Sequence, residues 1–254
     1  MGKHVVAMAV GLFVALGVGA DAAEVKALVS TAMKRPFEEL GAQFERTTGH
    51  KLVASYGPSG ALTKRVSDGE TADLVILGGG GLETLIKQGK VSAKGVDVAR
   101  SMIGLAVAKG APQPDISTPD KFKAELLAAK SVAYTDAASG GASGAYLGKL
   151  FDRMGLTDVL KPKAKLAAGG PNGYAGTFVA KGEAEIAMQP IPELMAVPGL
   201  DIVGPLPGEF QNVTTYAAGV PVSAGQADAA RALIEFLTAP AAAPVYKTHG
   251  LEPG

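Results

Sequence analysis

The sequence predicts an α/β fold of two lobes facing each other across a ligand cleft. Short apolar strands alternate with amphipathic helices along nearly the whole chain, the pattern of a mostly parallel sheet covered by helices. The alternation runs through twice, with no low-complexity linker between the runs. Small hydroxyl-bearing loops also recur where strands end and helices begin. Ligands of open α/β sheets gather beyond the carboxyl ends of the strands, so a cleft between two lobes collects loops from both.

The elements follow in order. Residues 25–29 form a first strand, and 36–47 (PFEELGAQFERT) a helix with Phe37, Leu40 and Phe44 on one face. Pro36 suits the first turn, where the N–H it lacks has no helical partner. Strands at 51–55 and 73–77 (DLVIL) alternate with helices at 60–68 and 82–88. The second run has strands at 102–108, 131–134, 164–168 and 186–189, with helices at 119–129, 142–154 and 173–181. A strand at 213–220 and a helix at 226–237, with Ala230, Leu233, Ile234 and Leu237 on one face, close the chain. Residues 23–104 with 216–254 are expected to build the first lobe and 105–215 the second, the chain crossing twice.

Composition narrows the chemistry. Lys plus Arg and Asp plus Glu balance at 24 each, so no nucleic-acid partner is expected and a charged ligand must be met locally. The absence of cysteine excludes disulfides, thiolate metal sites and a cysteine nucleophile. Only His4, His50 and His249 are present, which leaves little for metal catalysis or a histidine triad, and neither metal nor cofactor is expected. The start of the chain reads as a secretory signal: Lys3 and His4, an apolar run over 5–18, then Ala20-Asp21-Ala22 for cleavage near Ala22. The run is shorter than the roughly 20 residues that span a bilayer. The mature protein is expected in the periplasm, as a monomer.

Three loops carry the candidate site. The first is Ser30 to Arg35, before the helix at Pro36; the second is GPSGALTKR, residues 57–65; the third lies in TDAASGGASGAYLGKLFDRMGL, residues 135–156. Helix N-termini offer unpaired N–H groups and the positive end of the dipole, and glycines admit a ligand to the backbone. Each serine is equally suited to capping a helix, and each lysine or arginine to a solvated surface. Three such loops together point to an anion held from both sides. The candidate ligand-binding residues are Thr31, Ala32, Lys34, Arg35, Ser59, Gly60, Ser139, Gly140, Ser143, Asn172 and Gln189. Gly78 to Gly81 lacks the Lys-Ser/Thr ending of a phosphate loop and reads as a turn at the cleft rim.

FERTTGHKLVASYGPSGALTKRVSDGETADLVIL near the start and RALIEFLTAPAAAPVYKTHGLEP at the end resemble the type II periplasmic solute-binding proteins of ABC transporters, closest to the molybdate-binding branch. The resemblance implies two lobes that close on a small anion and deliver it to a membrane permease. The match to molybdate binders weakens at the site: their first-loop serine falls at Ala32, their second-loop serine run leaves only Ser59, and their hinge tyrosine falls at Gln189 or Pro190. With Lys34 and Arg35 beside these losses, an organic di- or tricarboxylate is the expected ligand.

IAMQPIPEL and LDIVGPLPGEFQ resemble a divergent subgroup of the family that includes aconitate isomerase. Capture of a carboxylate for a permease is therefore the leading expectation. An isomerase that moves a double bond by cofactor-free proton transfer is the alternative. The latter needs a base, for which Lys34, Tyr56, Tyr174 and Glu193 are candidates.

Overall fold

The computed structural model describes residues 22–91 and 95–254. The signal-like start up to Asp21 lies outside them. β1 (Glu24–Ser30) runs into a 3₁₀ turn, Thr31–Met33, and then α1 (Lys34–Thr48). The first loop is therefore not a loop, and Lys34 and Arg35 are the opening residues of the helix. Gly49 ends α1 at φ 78°, a left-handed stop that favours glycine. β2 (Lys51–Gly57), α2 (Ser59–Ser67), β3 (Leu74–Gly78) and α3 (Gly81–Lys87) follow the expected alternation.

β4 (Val96–Ala108) starts six residues before the expected strand and runs through both lobes. Its first part pairs antiparallel with β9 (Val213–Gly219), up to Met102 opposite Val213. From Ile103 onward it pairs with β7 (Ile186–Pro190) and β8 (Leu200–Pro205). The first lobe's sheet thus reads β2-β1-β3-β9-β4, with β10 (Glu252–Pro253) beside β4. The second reads β8-β4-β7-β5-β6, where β5 is Val132–Thr135 and β6 is Ala164–Ala167.

Both lobes are three-layered. In the first, α1, α9 (Ala227–Thr238) and α10 (Ala243–Thr248) cover one sheet face around Phe37, Phe44, Leu233 and Tyr246, while α2 and α3 cover the other through Leu62, Leu82 and Leu85. In the second, α4 (Pro119–Ala128), α5 (Ala142–Met154) and α6 (Thr157–Leu160) surround Phe122, Leu147 and Phe151. α7 (Gly176–Ala180) and α8 (Ile191–Met195) close the opposite face through Val179 and Leu194. α7 starts later than the sequence implied, because Gly169 to Gly173 fold into a turn closed by Gly169 N–H to Gly173 O at 3.0 Å. No helix among the described residues is long and apolar enough to cross a membrane.

Candidate functional site

The carboxyl ends of β1, β2, β5, β6 and β7 converge on a small cavity between the lobes. Ser30, Thr31, Pro58, Ser59, Thr214 and Tyr216 line it from the first lobe. Thr135, Gly141 to Ser143, Gly169, Gly170, Pro190 and Glu193 line it from the second. About 30 Å³ is open to the centres of water-sized groups, against about 10–15 Å³ for one water. That is room for a compact anion, and a six-carbon tricarboxylate requires the lobes to part further.

The wall is rich in neutral hydrogen-bonding groups. Ser59 Oγ donates to Ser30 Oγ at 3.0 Å and accepts from the Gly78 N–H at 2.9 Å, which fixes both serines. Gln189, fully buried, accepts from the Ala175 N–H at 2.8 Å and donates to Thr135 Oγ1 at 3.1 Å. Its carbonyl oxygen and one amide hydrogen are thereby taken up by the second lobe's framework. Thr31 Oγ1 is buried without a hydrogen-bond partner. An orphaned hydroxyl at a cavity wall costs folding free energy unless something in the cavity accepts from it. Thr31 thus presents an uncommitted donor at the cavity wall.

The stretch from Thr135 owes its glycines mainly to close packing. A Cβ on Gly144 would fall 2.0 Å from Thr135 O, and one on Gly141 2.5 Å from Thr135 Cγ2, so α5 sits directly on the end of β5. Ser139 caps nothing on α5: its hydroxyl donates to Asp136 O at 2.7 Å, and Gly141 is the N-cap residue. Ser143 does line the cavity, in the first turn of α5.

Gly140 serves closure instead. With φ 81° it brings its carbonyl to the Gly60 N–H at 3.1 Å, a backbone hydrogen bond from lobe to lobe. A Cβ on Gly140 would lie 2.7 Å from Ala61 N, and one on Gly60 2.8 Å from Gly140 O. These two glycines share a rim groove with Gly78 to Gly81, where Gly79 and Gly80 make the left-handed turn into α3.

The cations stand elsewhere. Lys34 Nζ pairs with the Glu38 carboxylate at 2.7 Å and lies 5.2 Å above the Tyr56 ring. Arg35 Nη1 donates to Met195 O at 3.0 Å, a second bridge between lobes. Ala32 is packed in the first lobe's core, and Asn172 is exposed on the turn before α7. No Lys, Arg or His lines the cavity among the described residues.

Glu193 is the charged group that does line it. Burial pushes its carboxyl up from 4.5 to about 8, opposed by a hydrogen bond from the Gln189 amide. Burial and then Glu193 push Tyr216 upward, and the same two causes lead in taking Tyr174 up to about 12. Glu193, Tyr216 and Tyr174 therefore form one electrostatic neighbourhood. Of the other candidate bases, Lys34 is paired, and Tyr56 packs edge-on against Phe37, raised by burial and then by Glu38. The arrangement can hold a small anion with neutral donors and exchange one proton with it.

Sequence reasoning put Ser30 and Thr135 in its candidate loops without naming them as contacts, and it did not find Thr214 and Tyr216. Alternation along β9 puts Thr214 and Tyr216 on one face, a signal the residues carried.

The chain is 38% identical to the aconitate isomerase of Pseudomonas sp. over 233 residues, covering 89% of this chain and 86% of that protein. It is 27% identical to the molybdate-binding protein ModA of Azotobacter vinelandii over 261 residues, covering 98% and 97% of the two chains. Among solved structures, the periplasmic molybdate-binding protein of Azotobacter vinelandii superposes with a TM-score of 0.74 at 17% identity, over 91% of this chain and 99% of that one. Residues 25–252 match the bacterial extracellular solute-binding proteins, and the chain belongs to that family.

Proposed function

We propose that this protein is an aconitate isomerase-like enzyme of the periplasm, freed of its leader near Ala22, which moves a double bond within a small polycarboxylate by proton transfer. One observation carries the reading: Glu193 faces a cavity otherwise walled by neutral donors, with its carboxyl held up to about 8. In a site meant only to trap anions, a carboxyl with no cation beside it adds no attraction. A carboxyl poised near the working pH is suited to proton exchange. The likeness to the Pseudomonas isomerase supports the same reading.

The step balances without a cofactor. Ionised Glu193 takes a proton from the methylene carbon beside the double bond, and the C–H electron pair spreads over the allyl carbons and their carboxylates. The proton returns at the far allyl carbon. The double bond moves by one position, and cis and trans isomers exchange. Hydroxyls and N–H groups of both lobes hold the carboxylates.

Family membership and the small cavity support a second reading, in which the lobes trap a small anion for an ABC permease and no bond changes. Mixing the protein with cis-aconitate and following trans-aconitate by absorbance separates the two. The isomerase reading expects turnover, kcat/KM rising with pH through about 8 as Glu193 ionises, and loss of about a hundredfold or more in Glu193→Gln. Binding without turnover leaves the receptor.

A further inference from the structure

We infer that Tyr216 is a catalytic residue of this reaction, its phenol donating a hydrogen bond to the substrate carboxylate on which negative charge gathers. The inference rests on the isomerase reading and adds the group that stabilises the charge Glu193 creates.

Taking a proton from carbon leaves an electron pair that must be accommodated, and a site does this with donors fixed in advance. Lysine, arginine or a metal would be the usual means. No Lys, Arg or His lines this cavity, and no group of three metal-binding side chains occurs among the described residues. The charge falls to neutral donors, among which Tyr216 carries the one phenol that lines the cavity among the described residues.

Tyr216 has the required rigidity. It is 3% exposed, and a Cβ on Gly78 would lie 2.8 Å from its Cε1 and 2.9 Å from its Cδ1. The ring therefore lies directly on the β3 backbone, where only glycine leaves it space. Burial and Glu193 both work against losing the phenolic proton, so the group stays a donor while Glu193 cycles. The two come from different lobes: Tyr216 from β9 in the first sheet, Glu193 from α8 behind β7 in the second. Each approaches the ligand from its own side of the cleft.

Tyr216→Phe removes one oxygen and keeps the ring. With cis-aconitate as the probe, kcat should fall by about a hundredfold, KM should change by less than about threefold, and the pH at which kcat/KM rises should stay set by Glu193. Gly78→Ala keeps the phenol but displaces its ring, and should lower kcat by about tenfold through misplacement alone. Should Tyr216→Phe fail to fold, Gly78→Ala alone decides. Wild-type turnover that disappears in Glu193→Gln but persists within threefold in the Tyr216 and Gly78 variants overturns this inference and leaves the isomerase standing. A wild-type protein that binds cis-aconitate without converting it overturns both.

Discussion

Glu193→Gln should change how stability depends on pH, whatever the ligand proves to be. The carboxyl is near 4.5 in the unfolded chain and about 8 in the folded one. Below 4.5 both states hold the proton, and the folded protein bears no penalty. Between 4.5 and 8 the unfolded chain releases a proton that the folded one keeps, so stability falls as pH rises, and it levels off above 8. The full displacement corresponds to about 4–5 kcal/mol at 1.36 kcal/mol per pH unit. Water reaching a partly buried residue reduces that, and about 2 kcal/mol is the working expectation. For a chain of this size that is about 4–8 °C in melting temperature. Glutamine has the shape of the neutral carboxyl and cannot ionise, so variant and wild type should differ least at pH 5. At pH 9 the variant should melt higher by that amount. Calorimetric scans at pH 5, 7 and 9 test this, and histidine titration cancels in the difference between the proteins. Parallel curves for the two proteins across that range would refute a carboxyl held out of water.

Thr31→Val removes a buried hydroxyl that has no protein partner, so ligand-free stability should hold or rise while affinity falls by about ten- to a hundredfold. Isothermal calorimetry and melting on the same sample read both. Gly140→Ala places a methyl 2.7 Å from Ala61 N and should hold the lobes apart, which small-angle scattering with saturating ligand would register as failure to compact. Ser143→Ala should weaken binding by about tenfold and Ser139→Ala by much less, since Ser139 donates to Asp136 O. Direct titration should find cis-aconitate bound more tightly than molybdate, and a tenfold preference for molybdate would return the protein to its oxyanion-binding relatives.

Where a segment declares itself by period, the sequence was enough: 142–154 is a helix from Ala142 to Met154, and the faces of α1 and α9 point inward as their leucines and phenylalanines require. β4 was read short because Asp97 and Arg100 interrupt its apolar pattern, and a register shift near Asp97 breaks its alternation. β8 and α8 escaped notice since LDIVGP and IPELM are brief and broken by Gly or Pro, and tertiary pairing with β4 settles them. At the site, Thr31, Ser59 and Ser143 could be read from loops feeding helices. The direction of Lys34 and Arg35 could not, because it depends on α1 beginning at Lys34 and on Glu38 one turn away. Glu193 stood among four candidates, and only the folded structure shows that it alone of the four lines the cavity.

The late return of β9 to the first sheet constrains how the molecule comes into being. β9 lies between β3 and β4, and α9 and α10 supply much of the first lobe's core, so that lobe lacks its middle and one helical layer until the end of the chain is available. The second lobe draws its sheet from Ile103 to Pro205 without interruption and depends on no later strand. A polypeptide delivered amino end first can assemble that half while the other is still open. Contacts spanning most of the sequence form slowly, so the first lobe is the last to mature. Until then an incomplete edge of β3 stands exposed to any foreign strand, and the newly made protein is most vulnerable to aggregation and proteolysis in that interval.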